Sequence, residues 1–172
     1  GQPPLYGHGH NLFRVFPPSE YHDHPEYYRM RDGKRDVPDT EDHTDIQPCF
    51  TNPDVIRITI ETVREFFDQN PAAPTFSLCA NDGSSYCECP SCEELNSGMG
   101  EFRGRKMHSD SYFEYIEAVA KELLKTHPDR YVSAYAYRMT EPPPRNIAKL
   151  PPNVVVYLTQ DSSQYYDEAY EQ

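Results

Sequence analysis

The sequence has no tryptophan, only eight glycines, and nowhere the roughly 20 consecutive apolar residues that a membrane-spanning helix needs. The last absence excludes an α-helical span within these residues. Positive charge is also scarce: 28 acidic side chains against 16 Lys and Arg leave a net charge of -12. Such a field repels phosphate backbones and anionic headgroups, so nucleic acid and membrane surfaces are excluded as partners, whereas a neutral carbohydrate is tolerated. The opening Gly1-Gln2-Pro3-Pro4 has neither the basic nor the apolar region of a secretion signal, and residues 165–172 carry no terminating feature. Both ends are therefore expected to lie inside a longer protein, with flanking segments of the same fold missing here.

What is abundant is proline (17) and tyrosine (14), a loop-rich composition. Apolar periodicity persists between the loops, so the chain reads as one folded domain rather than as disorder. The run 10–16 suggests the end of a strand stopped by Pro17-Pro18. Residues 19–48 hold a density of turn formers expected of a long crossover loop. At Asn52-Pro53 an N-cap and a first-turn proline begin a helix with Ile56, Ile60, Val63 and Phe67 on one face, ended by Asn70-Pro71. A strand over 75–80 follows, with Phe76 and Leu78 on one side and Ser77 and Cys79 on the other. A second helix spans 109–126, capped by Ser109 or Asp110, with Tyr112, Ile116, Val119 and Leu123 as its stripe. Residues 131–137 and 153–159 read as strands of a mostly buried sheet, and the short link 141–152 leaves room only for a reduced crossover. Alternating strands and helices predict an α/β fold with parallel strands. A complete eight-stranded (β/α) barrel usually needs about 250 residues, so a TIM-type barrel here would be partial.

Three sets of residues carry chemistry. Asn81-Asp82-Gly83 follows a strand, where barrel enzymes keep their active sites; it supplies an amide, a carboxylate and a permissive backbone, although the same triplet is ordinary turn chemistry. Cys87-Glu88-Cys89-Pro90-Ser91-Cys92 packs three thiols closely enough to share a structural zinc or to form a disulfide; with five cysteines, complete pairing is impossible. A fourth zinc ligand is missing from the cluster itself, and Cys79 and His108 are the candidates. At a second strand end Tyr135, Tyr137 and Arg138 stand where tyrosine rings can stack on a pyranose, with Tyr137 nearer the rim. His10 and Asp161, each near a predicted strand end, complete the candidate sugar contacts. His8-x-His10 and His22-x-His24 otherwise read as solvated histidines in an acidic loop rather than as metal sites.

Taken as an ordered set, these features resemble one family. They are His10-Asn11, the loop from Pro17-Pro18 to His24-Pro25-Glu26-Tyr27, Asp32-Gly33-Lys34-Arg35, Cys49-Phe50-Thr51-Asn52-Pro53, Asn81-Asp82-Gly83, the cysteine cluster and Ala136-Tyr137. The family is the domain of unknown function numbered 4838. That family is similar to glycoside hydrolase barrels, and some members fall in glycoside hydrolase family 163, which cleaves N-glycans as endo-β-N-acetylglucosaminidases. The resemblance implies a secreted or extracytoplasmic enzyme and a retaining, substrate-assisted mechanism that needs no cofactor. In that mechanism the substrate's acetamido oxygen attacks the anomeric carbon while carboxylates orient it and move the proton. Carried onto this chain, Asp82 takes a carboxylate role and Asn81 a sugar contact. Many such barrels carry two adjacent acidic residues at this point. Here the first is Asn81, so a second carboxylate must come from Glu88, Asp161 or the missing flanks.

Overall fold

The computed structural model describes residues 8–159, and they open on helix where a strand was expected. Two single turns, α1 (Leu12–Val15) and α2 (Pro18–Tyr21), follow one another across Pro17. Leu12, Val15 and Phe16 are buried while Arg14 faces out, a spacing that suits a helical turn and not a strand. Pro18 does not stop the chain; it takes the first position of α2, where a missing N–H is tolerated. Segment 8–11 forms no strand but meets residues 77–79, with Ser77 Oγ donating to Gly9 O (2.6 Å) and Asn11 N–H to Cys79 O (3.4 Å).

Two tight hairpins frame the middle of the chain. β1 (Met30–Arg31) and β2 (Lys34–Arg35) pair around Asp32-Gly33, both at positive φ (50° and 75°). That mirror-image turn matches the twist of paired strands, which is why an Asp-Gly pair sits there. Helix α3 (Pro53–Gln69) begins as predicted: Asn52 Oδ1 accepts from the N–H groups of Asp54 (2.8 Å) and Val55 (3.4 Å). Its buried face, however, is Val55, Ile58, Thr59, Val63 and Phe67, with Ile56 and Ile60 only at its margin. The stripe is rotated because Thr59 points inward to the buried Tyr115 hydroxyl (2.9 Å), and its hydroxyl is satisfied there and by Val55 O.

The sheet opens with β3 (Thr75–Ser77). After it come α4 (Pro90–Asn96), a second hairpin of β4 (Glu101–Phe102) and β5 (Arg105–Lys106), and α5 (Ser109–Leu124). Strand β6 (Tyr131–Ala136) lies between β3 and β7 (Val154–Leu158), all three parallel, with Phe76 beside Val132 and Val132 beside Val154. Tyr112, Ile116, Val119 and Leu123 of α5 are at most 1% exposed, as their four-three-four spacing predicted. The cap differs from expectation. His108 occupies the N-cap position, while Asp110 is fully buried inside the first turn and accepts from Arg145 N (2.7 Å) and Nε (2.8 Å). The pair of a buried carboxylate and an exposed guanidinium ties the 141–152 link to α5, and the link, which follows the single turn Arg138–Thr140, carries no helix.

The architecture is thus mixed α/β with helices packed on a parallel three-stranded sheet. No closed barrel is formed among the described residues. Strand β7 is less buried than its apolar sequence implied: Val156 and Leu158 are exposed.

Candidate functional site

The end of the sheet is built around one hydroxyl. β3 and β6 stop pairing at Ser77, and the last direct backbone bond runs from Leu78 N–H to Ser133 O (2.9 Å). Beyond it the strands diverge, and the Tyr112 hydroxyl from α5 fills the gap. It accepts from Ala80 N–H (3.3 Å) and Tyr135 N–H (3.2 Å) and donates to Leu78 O (3.0 Å). Complete burial pushes its pKa far up, so it remains a donor. The sequence places Tyr112 in the core, but nothing in its spacing reveals this bridging role.

The divergence also explains Asn81. Without a ladder past Ser77 the strand's alternation is lost, and Asn81 turns inward to 2% exposure. Its Oδ1 accepts from Phe13 N–H (2.9 Å) and its Nδ2 donates to Ile46 O (2.6 Å). The fully buried Gln47 side chain then pairs with the Asn81 backbone through both amide groups, at 3.0 and 2.6 Å. Asn81 therefore braces the loop through both ends of its side-chain amide. Gly83 is needed for the same closeness: a Cβ there would lie 1.9 Å from Asp45 O. Arg29, 4% exposed, completes the seam by donating from Nη1 to Asp45 O (2.8 Å) and Ser85 O (3.0 Å) while pairing with Asp36 (2.8 Å).

Asp82 is left at the surface of this braced loop, its side chain half exposed. His10 Nε2 lies 3.8 Å from Asp82 Oδ1, and its Nδ1 donates to Ala80 O (2.5 Å). Because the carbonyl can only accept, the Nδ1 proton is fixed, and Nε2 offers Asp82 a donor only when the ring is an imidazolium. His10 also packs edge-on against Tyr135 (5.3 Å) and obliquely against Tyr137 (6.3 Å). The Arg138 guanidinium covers the Tyr137 ring at 4.9 Å from a left-handed backbone (φ 50°), a strained conformation for a non-glycine residue at the end of β6. The structure thus brings together His10, Asp82 and Tyr137, with Tyr135 added. Glu88 is exposed elsewhere on the loop, accepting from Asp32 N–H (3.1 Å), and Asp161 lies outside the described residues. His22 and His24 are exposed, and no histidine joins a metal-ligand cluster among the described residues.

The cysteines make a second centre on the same loop. Cys49, Cys87, Cys89 and Cys92 are all buried, and their sulfurs lie within 4.8 Å of one another. All are free thiols; Cys49 Sγ stands 3.5, 3.6 and 3.9 Å from those of Cys87, Cys89 and Cys92, far beyond the 2.0 Å of a disulfide. Such a set can hold a metal ion. The fourth member is Cys49, not Cys79 or His108. Cys79 sits apart, its Sγ 3.8 Å from Ser133 Oγ, and burial raises its pKa. His108 stacks on Tyr86 (4.9 Å), and burial holds it neutral by lowering its pKa to about 4. Cys49 lies 38 residues before Cys87, on the approach to the α3 cap, so only chain folding joins them.

No curated protein and no solved structure matches the chain. A family match covers residues 2–171, and on that extent the chain belongs to the family described as domain of unknown function (DUF4838).

Proposed function

We propose that the rim formed by His10, Asp82, Tyr135 and Tyr137 is part of the active site of a secreted glycoside hydrolase acting on β-linked N-acetylhexosamine glycans. The observation that carries this reading is the His10–Asp82 pair, a carboxylate at 3.8 Å from an imidazole of fixed tautomer, set beside two tyrosines at the C-terminal end of parallel strands. Glycoside hydrolysis asks for a carboxyl group that can exchange a proton, and for flat rings that pack on a sugar face. In a substrate-assisted reaction the acetamido oxygen forms the bond to the anomeric carbon. Asp82 then either orients that acetamido group or passes the proton to the leaving oxygen, with His10 as its proton partner. The three strands would be a sector of a (β/α)8 barrel completed by flanking sequence. A structural zinc in the four-cysteine set belongs to the same reading and takes no part in the chemistry.

The test is turnover of N-glycans and aryl β-N-acetylglucosaminides by the full-length protein and its Asp82→Asn variant. Loss of about 10²- to 10⁴-fold in turnover with glycan binding retained is the expected result. Unchanged turnover would remove Asp82 from the mechanism. Glycan binding with no turnover in either protein would instead favour a binding barrel, which the rim tyrosines alone can support.

A further inference from the structure

We infer that Cys49, Cys87, Cys89 and Cys92 bind one Zn²⁺ ion through all four sulfurs, and that this ion holds the loop carrying Asp82 in place. The first part rests on geometry. Four sulfurs at about 2.3 Å from a tetrahedral ion lie about 3.8 Å apart, and the Cys49 sulfur is 3.5 to 3.9 Å from the other three. Binding releases the four thiol protons to solvent and leaves two negative charges on the centre. The surroundings are built to accept that charge. Met30 N–H donates to Cys87 Sγ (3.3 Å), Thr51 Oγ1 stands 3.1 Å from Cys92 Sγ, and Arg35 Nη1 lies 3.6 Å from Cys87 Sγ. These are groups that orient thiolates and compensate them, as a metal site's outer contacts do.

The second part rests on where the four ligands lie. Cys49 closes the segment 45–49, and Cys87 closes the segment 81–87. Those two segments are already zipped at their other end by Gln47 with Asn81 and by the close approach of Gly83 to Asp45. The β1–β2 hairpin joins them through Glu88 N–H to Met30 O (2.8 Å). A metal at the cysteines fastens the second end of this seam, and the loop that carries Asp82 is then held at both ends. Only the value of that placement to catalysis rests on the glycosidase reading; metal content and loop order are measured without it.

The experiment is elemental analysis and hydrogen exchange on the full-length protein purified under reducing conditions. One zinc per chain is expected, falling to under about a tenth in Cys49→Ser and staying at one in Cys79→Ser. Stripping the wild-type protein with a chelator should speed exchange in 30–35 and 81–87 by about tenfold or more, and added zinc should reverse it. Cobalt substitution should give the visible bands of a tetrahedral thiolate site. Iron in place of zinc, a metal-free protein, or full zinc in Cys49→Ser would overturn the assignment. Zinc bound with unchanged exchange in 81–87 after stripping would overturn the positioning role. The wild-type stripping arm keeps the test decisive should Cys49→Ser fail to fold.

Discussion

The loop after β3 holds two regions five residues apart that are built on opposite terms. At Asp82 the side chain is half exposed and its one close partner, His10, is itself part-exposed. At Cys87 the side chain is buried among three other thiols and receives donors from Met30 and Arg35. One region keeps its polar groups uncommitted, and the other spends all of them internally. The contrast teaches that rigidity and reactivity are separated along the loop: a saturated, buried staple supports a rim whose groups stay available. Stability should therefore respond to the cysteine staple and turnover to the Asp82 rim.

The largest expected effect is on the staple. Cys49→Ser, or metal removal from the wild type, should lower unfolding free energy by about 5 kcal/mol, since a metal that binds only the folded form adds its binding energy to folding. Denaturant melts under reducing conditions, with and without chelator, measure it. Cys79→Ala is the matched control: it is equally buried but lies outside the cluster, and its small cavity should cost about 1 kcal/mol. Equal losses for the two would break the comparison.

Next comes acid. His108 is 6% exposed with its Nδ1 unpartnered, and burial, helped by the nearby Lys106 charge, lowers its pKa from 6.5 to about 4. Between those values the unfolded chain binds a proton that the folded chain refuses, so stability falls as pH drops from 6.5 toward 4 and levels off below it. The integrated loss is about 3 kcal/mol. His108→Phe preserves the stacking on Tyr86 but cannot titrate. Urea melts across this range should give the wild type a steeper acid slope than the variant, and parallel slopes would show that His108 is not held neutral.

A smaller effect belongs to the hinge between the two regions. Tyr112→Phe orphans the N–H groups of Ala80 and Tyr135 at the point where β3 and β6 part. The expected cost is about 2 kcal/mol by denaturant melts, with faster amide exchange at residues 80 and 135. No change in either would mean that the strands close the gap unaided.

How much of this was legible follows from how local each signal is. Helices α3 and α5 and the three parallel strands could be read because a cap, a period and a proline stop all lie within one element. The α1 turn was misread because Leu12, Val15 and Phe16 form too short a run to separate the two periods. Cys87, Cys89 and Cys92 announced a cluster by adjacency, whereas Cys49 joins it only through the packing of 45–49 against the β3 loop. Gln47 carries no local pattern, and neither do the Nη1 bonds of Arg29, since these partners are backbone groups distant in sequence.

The smallest expected stability effect is also the sharpest test of the contrast. Asp82→Asn keeps the volume of a half-exposed side chain and removes an ion-pair contact at 3.8 Å to a part-exposed histidine. Exposed pairs of this kind contribute about 0 to 1 kcal/mol, so the variant should melt within about 0.5 kcal/mol of the wild type. Asn81, its neighbour, is the internal comparison: Asn81→Ala strands Phe13 N–H and Ile46 O in the interior and should be clearly destabilised. If Asp82→Asn instead cost as much as Asn81→Ala, the carboxylate would be a brace like its neighbour. A loss of turnover in that variant would then follow from a disordered loop and not from missing chemistry.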